Sequence, residues 1–119
     1  MTDKMYVAVV IPAFNEAATI GEVVRGAKAH VPLVIVVDDH SSDRTGEIAR
    51  GAGAHVVSQE INRGYDSSID DGFKSALENG ATHIITFDAD GQHQAKDLPQ
   101  FLQALARGIE ALTGERERL

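Results

Sequence analysis

Two aspartates spaced two residues apart, Asp88 and Asp90, are the side chains of this sequence best suited to chemistry. They follow the apolar run His83–Thr86, which has the composition of a buried strand. If the chain turns where that strand ends, both carboxylates converge on one point. Together with the carbonyl of Gln92, they would supply the hard oxygen ligands that Mg²⁺ or Mn²⁺ takes. Such ions keep positions open for phosphate oxygens, so the pattern favours a nucleotide diphosphate as the ligand.

Strand-like and helix-like segments alternate along the chain, and they would place these acids at the edge of a sheet. Nearly continuous β-branched runs predict buried strands over 6–11, 33–37, 55–58 and 83–86, with a fifth strand over 110–113. Amphipathic or capped stretches predict helices over about 16–29, 41–50, 67–79 and 96–107. Pro12 is expected to end the first strand, and Ser67 or Ser68 to cap the third helix. This order predicts an α/β fold with a mostly parallel, doubly wound, Rossmann-like sheet.

Polar side chains follow three of the predicted strands. Ligands of doubly wound sheets bind outside the carboxyl ends of the strands. The polar residues expected at that edge are Asn15, Glu16, Asp38, Asp39, Asp88 and Asp90. Because carboxylates at one edge repel one another, we expect a cation or a hydrogen-bonding ligand among them.

Composition limits the classes of protein to consider. A chain of 119 residues with 43% hydrophobic residues has the size and composition of one globular domain, residues 1–119. A net charge of −7 with no basic stripe argues against a nucleic-acid partner. The absence of cysteine excludes disulfides and thiolate metal sites. No apolar run approaches the roughly 20 residues that span a bilayer, so we expect a cytoplasmic location, including the cytoplasmic face of a membrane.

Four motifs in order carry a family resemblance: residues 10–16 (VIPAFNE), 36–43 (VVDDHSSD), 62–64 (NRG) and 88–93 (DADGQH). Together they resemble the inverting family-2 glycosyltransferases of GT-A fold, in particular the dolichyl- and polyprenyl-phosphate mannose and glucose synthases. The resemblance runs from Tyr6 to Arg116 and implies the nucleotide-binding half of such a domain. In that family the acceptor site and any catalytic base lie beyond the segment that ends here at Leu119, so we assign neither.

The resemblance implies a role for each matched residue. The residues implied to line the nucleoside pocket are Pro12, Phe14 and Glu16, and those implied to contact the base are Val37 and Asp39. The residues implied to face the ribose, the diphosphate and the divalent metal are Asp88, Ala89, Asp90, Gln92 and Arg116. Of these, the metal ligands would be Asp88, Asp90 and Gln92. Arg116 would lie near the donor phosphates, although Glu115 precedes it where relatives carry Ser.

The implied activity is metal-dependent transfer of a hexose from a GDP- or UDP-sugar to an acceptor such as polyprenyl or dolichyl phosphate. Two alternatives stay open: a nucleotide-sugar-binding module completed by a partner chain, and an inactive fragment that forms homo-oligomers through an uncovered sheet face. A calcium EF-hand is excluded because Pro99 stands at the twelfth loop position. A phosphoacceptor receiver domain does not match either, because it would place its acidic pair after the first strand. Here the acidic pairs follow the second and fourth predicted strands.

Overall fold

The structure is a computed structural model that describes residues 5–90 and 94–113. Strands and helices alternate in it, in the order β1 (Val7–Ala13), α1 (Ile20–Lys28), β2 (Leu33–Asp38), α2 (Thr45–Gly51), β3 (His55–Ser58), α3 (Tyr65–Glu78), β4 (His83–Thr86) and α4 (Gln94–Thr113). The strands form one parallel sheet in the order β3-β2-β1-β4. The α/β, parallel, doubly wound fold predicted from the sequence is therefore confirmed.

Apolar side chains on both faces of β1 and β2 explain why helices cover the sheet on both sides. Alternate residues of β1 enter different cores: Val9 and Ile11 lie in one, and Ala8 and Val10 in the other. The first core is closed by apolar residues of α1, α2 and α4, and the second by α3. Continuous β-branched runs are what such two-sided burial requires.

The carboxyl ends of β1 and β4 form the point where the chain reverses its direction across the sheet. From β1 the chain moves outward to β2 and β3, then returns to add β4 on the other side of β1. The helices that follow these two strands, α1 and α4, both pack on the first core, so the loops after β1 and β4 leave the sheet side by side at this point. This is the position at which open α/β sheets bind ligands.

Pro12 does not end β1, which continues to Ala13. The reason is the length of β4, which pairs with β1 only as far as Val10. At Pro12 the strand has a neighbour on one side alone, and the missing N–H therefore removes no ladder bond on the other side.

Two further expectations about local structure are wrong. Residues 110–113, predicted as a strand, form the last turn of α4; Glu, Ala and Leu favour a helix, and helical periodicity continues from the preceding residues. Helix α3 begins at Tyr65, after Gly64, so neither Ser67 nor Ser68 caps it. Ser68 is instead buried and donates its hydroxyl to Gln59 Oε1 at 3.3 Å.

Helix α1 begins later than expected, at Ile20 rather than near Glu16. The N–H groups of Thr19 and Ile20 donate to the Glu16 carbonyl at 3.1 and 2.9 Å, forming a turn before the helix. Within the described ranges, no helix is long and apolar enough to cross a membrane.

Candidate functional site

Asn15 joins the loops that follow β1 and β2. Its backbone is in the left-handed region (φ 55°), which an asparagine tolerates better than most residues. Its N–H donates to Ser41 Oγ at 2.9 Å, and its Oδ1 accepts the N–H of Ser42 at 2.8 Å. The motif residues 10–16 and 36–43 are thus fastened to each other at the edge of the sheet.

Asp43 and Thr45 add a second connection between the same loops. The Ala17 N–H donates to Asp43 Oδ2 at 3.2 Å, and the Glu16 N–H donates to Thr45 Oγ1 at 2.9 Å. Asp43 Oδ1 also accepts the N–H of Thr45, at 3.0 Å, and its hydroxyl. These hydrogen bonds, led by that from the Thr45 hydroxyl, hold the pKa of the Asp43 carboxyl below its ordinary value.

Asp39 fastens the loop after β2 to the segment before α3. Its carboxylate is 5% exposed, and its two oxygens accept the N–H groups of Arg63 and Gly64 at 2.7 and 2.9 Å. Asn62 Nδ2 donates to the Asp39 carbonyl at 3.3 Å. Gly64 has φ 89°, a conformation that glycine adopts readily. The motif residues 62–64 are therefore positioned by the second aspartate of residues 36–43.

Asp38 is likewise engaged by the protein itself. Its Oδ1 accepts the Ser41 N–H at 3.0 Å. Its Oδ2 lies so near α2 that a Cβ added to Gly46 would stand 2.6 Å from it. The acids after β2 are thus balanced by main-chain donors, which reduces the repulsion that the sequence led us to expect at this edge.

The acidic turn, which we define as residues 88–90, presents its two carboxylates to solvent. Asp88 and Asp90 are exposed, whereas Ala89 between them is 5% exposed and lies in the first core. The Ala89 carbonyl accepts a hydrogen bond from Thr19 Oγ1 at 3.0 Å. The loops after β1 and β4 are therefore also connected.

The donor chemistry of the acidic turn is compatible with a divalent cation held jointly with a ligand. Residues 5–90 and 94–113 contain no group of three histidine or acidic side chains that could hold a metal. Two carboxylates are hard oxygen donors, and Mg²⁺ sites commonly combine one or two carboxylates with phosphate oxygens and water. Asp88 and Asp90 suit that arrangement, while Gln92, the third predicted ligand, lies outside the described residues.

The remaining predicted residues are distributed unevenly over the edge. Phe14 is 48% exposed, and Pro12 and Glu16 are half-buried. Val37 is fully buried in the second core, so its side chain does not reach the surface of the sheet's carboxyl edge. Arg116 lies outside the described residues.

Sequence reasoning missed the side chains that connect the loops, chiefly Thr19, Ser41 and Thr45. Their available signal was weak: each is a hydroxyl residue in or just after a loop at a strand's carboxyl end. Such residues often bond to nearby backbone groups. Here their partners are 26 to 70 residues away, which no local pattern indicates.

The sequence profile of Glycosyl transferase family 2 matches residues 8–118. The chain belongs to this family. The resemblance inferred from the four motifs is therefore confirmed.

Two curated relatives act on polyprenyl phosphates, as their names state. The chain is 32% identical to the UDP-N-acetylglucosamine–dolichyl-phosphate N-acetylglucosaminyltransferase of Methanococcus voltae, over 88% of this chain and 49% of that protein. It is 33% identical to the undecaprenyl-phosphate mannosyltransferase of Micrococcus luteus, over 94% of this chain and 49% of that protein. The chain thus spans about half the length of the curated relatives it matches.

A solved structure supports the same fold. Glucosyl-3-phosphoglycerate synthase from Mycobacterium tuberculosis, solved with Mn²⁺, UDP and glucosyl-3-phosphoglycerate, superimposes with a TM-score of 0.60 at 27% identity. The match covers 71% of this chain and 33% of the synthase. This likeness confirms the GT-A architecture.

Proposed function

We propose that this chain binds the donor of a glycosyltransferase, a nucleotide-diphosphate sugar held with a divalent cation at the carboxyl edge of the sheet. The observation that carries the proposal is the acidic turn. Asp88 and Asp90 are exposed at the carboxyl edge of the sheet, while Ala89 between them is anchored in the core. The Mycobacterium tuberculosis synthase, solved with Mn²⁺ and UDP, supports this ligand class.

Each part of the donor has a counterpart at the edge. The exposed ring of Phe14 offers an apolar surface for the base, with Pro12 and Glu16 beside it. Asp39 and the residues 62–64 that it positions would border the nucleoside on the β2 side. Asp88, Ala89 and Asp90 would face the ribose and diphosphate, with Gln92 completing the metal ligands and Arg116 near the phosphates. GDP and UDP both suit these groups.

The reaction we propose for the whole protein is transfer of the hexose with inversion. The bond between the anomeric carbon and the diphosphate oxygen breaks, and the diphosphate leaves with the electron pair. A bound divalent cation would neutralise that charge. An oxygen of the acceptor, which we propose to be a polyprenyl phosphate as in the two curated relatives, forms the new bond from the opposite face. An anionic phosphate acceptor needs no general base.

Isothermal titration calorimetry of the purified chain with UDP and GDP, with Mn²⁺ or with EDTA, tests the donor site. We expect one nucleotide to bind tightly only with Mn²⁺. Asp90→Ala should weaken that binding about ten- to hundredfold, since contacts to charged groups contribute about 1.5–3 kcal/mol.

Asp70→Ala is the matched control because Asp70 is an exposed acid on α3, away from the acidic turn. It removes the same charge and should leave binding unchanged. If neither UDP nor GDP binds with Mn²⁺ to a chain whose circular dichroism shows it folded, the proposed donor site is contradicted.

A second candidate is a binding module that holds the nucleotide-sugar and does not transfer it alone. It is favoured by the coverage, since the chain matches only 49% of each curated relative. The two candidates separate when polyprenyl phosphate and the donor sugar are supplied together. Release of the nucleotide diphosphate identifies the enzyme, and donor binding without release identifies the module.

A further inference from the structure

Thr19 occupies the N-cap position of α1 without capping it. Threonine is favoured there because its side-chain oxygen usually accepts an N–H of the first helical turn. In this chain Thr19 makes no such side-chain bond. Its hydroxyl instead donates to the carbonyl of Ala89, seventy residues away, at 3.0 Å. Thr19 thus makes a long-range hydrogen bond to the acidic turn in place of a local capping hydrogen bond.

We propose that Thr19 is a positioning residue that sets the conformation of the acidic turn through the Ala89 carbonyl. The part of this inference that concerns ligand binding rests on the proposed donor site. Thr19 touches neither the nucleotide nor the cation in this role. It acts by fixing the peptide that lies between the two carboxylates.

The geometry around Ala89 explains why one hydroxyl has this effect. The residue is buried in the first core, which fixes its side chain, and the bond from Thr19 fixes its carbonyl. With both held, the peptide plane between Ala89 and Asp90 has one orientation. The direction in which Asp90 leaves the backbone is then largely determined.

Without the hydroxyl, the Ala89 carbonyl would turn toward water and the acidic turn would sample more conformations. Binding of a cation with a diphosphate would then have to order it. Ordering one residue costs about 1 kcal/mol, which corresponds to about a fivefold loss of affinity. The nucleoside side of the pocket should not be affected.

Thr19→Val and Thr19→Ser form a matched pair for the test. Valine keeps the branched shape and removes the hydroxyl, and serine keeps the hydroxyl. Because Thr19 makes no capping bond, neither change should unfold α1, which circular dichroism verifies. The probes are UDP and GDP, each titrated with Mn²⁺ and with EDTA. The ¹³C resonance of the Ala89 carbonyl and the amide exchange of residues 88–90 are recorded without metal.

We expect Thr19→Val to weaken nucleotide binding with Mn²⁺ about fivefold, leave any binding in EDTA unchanged, shift the Ala89 carbonyl resonance and speed amide exchange in the turn. Thr19→Ser should resemble the wild type in each measurement. An equal loss of binding with and without metal, or an unchanged carbonyl resonance in Thr19→Val, overturns the proposal. If the wild type binds neither nucleotide, the proposed donor site fails. The resonance and exchange data then decide alone whether Thr19 positions the turn.

Discussion

The carboxylate of Asp43 accepts hydrogen bonds from the loop after β1 and from the first residue of α2. One oxygen takes the N–H of Ala17, after β1, and the other takes the N–H and the hydroxyl of Thr45, at the start of α2. An acceptor in this position is strongest when it is ionised. The connection between the two loops should accordingly depend on pH.

We expect the contribution of Asp43 to folding stability to disappear in acid. Its pKa is lowered in the folded chain, chiefly by the hydrogen bond from the Thr45 hydroxyl. The stabilisation is therefore present above the ordinary carboxyl pKa of about 4 and is lost as the pH falls through the lowered folded value. Thermal unfolding of the wild type and Asp43→Asn, followed between pH 7 and about pH 2, measures it.

The difference in melting temperature between the two proteins should be constant near neutral pH and shrink below about pH 4. Glu47→Gln provides a control for acid effects at the same helix end. Glu47 also has a lowered pKa, but its partner is the exposed Arg44, just before the same helix. The melting temperature of Glu47→Gln should therefore differ little from that of the wild type at any pH. A difference that stays constant to the lowest pH would show that the Asp43 charge is not involved.

At the residue scale, the sequence predicted acids after the ends of neighbouring strands but not the hydrogen bonds that those acids accept. Asp38, Asp39, Asp88 and Asp90 were expected at one edge because parallel strands end together. The sequence could not predict that Asp39 accepts hydrogen bonds from two main-chain N–H groups, 24 and 25 residues away. Such bonds depend on the register of neighbouring strands and the exit angle of each loop, which periodicity does not encode.

Helix α3 lies close to the sheet because its inward face is made of small residues. Its buried positions are Ser68, Gly72, Ser75 and Ala76. A Cβ added to Gly72 would stand 2.3 Å from Val10 Cγ1 and 3.1 Å from Val37 Cγ2. Both valines are fully buried in central strands and have little freedom to shift.

We expect Gly72→Ala to destabilise the protein by about 1–3 kcal/mol, because overpacking displaces Val10 or moves the helix. Gly108→Ala is the control, since Gly108 is exposed in α4 and an added Cβ would meet nothing within 4 Å. That change should stabilise by up to about 1 kcal/mol, through helix propensity alone. Urea unfolding of both variants compares them, and a Gly72→Ala protein as stable as the wild type would contradict this account of the close approach.

At the element scale, the sequence predicted strands better than helix ends. The strands over 55–58 and 83–86 have the expected bounds, since short β-branched runs between polar residues mark both ends. Helix α3 starts earlier than expected because Asp39 holds the residues before it, a tertiary constraint. Residues 110–113 were misassigned because a short apolar run is ambiguous between strand and helix.

At the scale of the whole molecule, α4 contacts the first core through Leu98 and Leu102. Leu98 is 2% exposed in the first core, and Leu102 packs against that core. Phe101 is half-exposed. Among residues 103–108, Leu105 and Ala106 are half-buried and the other four are exposed. Packing, which supplies most helical stability in proteins, therefore decreases from Leu98 to residue 108.

We expect amide exchange to show that gradient. Amides of residues 104–108 should exchange at least about tenfold faster than those of residues 100–102, because local opening follows the loss of buried contacts. Nuclear magnetic resonance at neutral pH measures both groups in one sample, and the amides of α1, which is buried on one face throughout, serve as the internal reference. Uniform protection along α4 would show that the helix is held over its full length.

The connections between the loops mostly end on main-chain atoms. The partners that Asn15, Asp39, Asp43, Thr45 and Thr19 hold are N–H or carbonyl groups of Ser42, Arg63, Gly64, Ala17, Glu16 and Ala89. The side chains of Glu16 and Arg63 therefore make none of these connections, which use only their backbone N–H groups. Those side chains can therefore be exchanged while the backbone that carries them stays as it is.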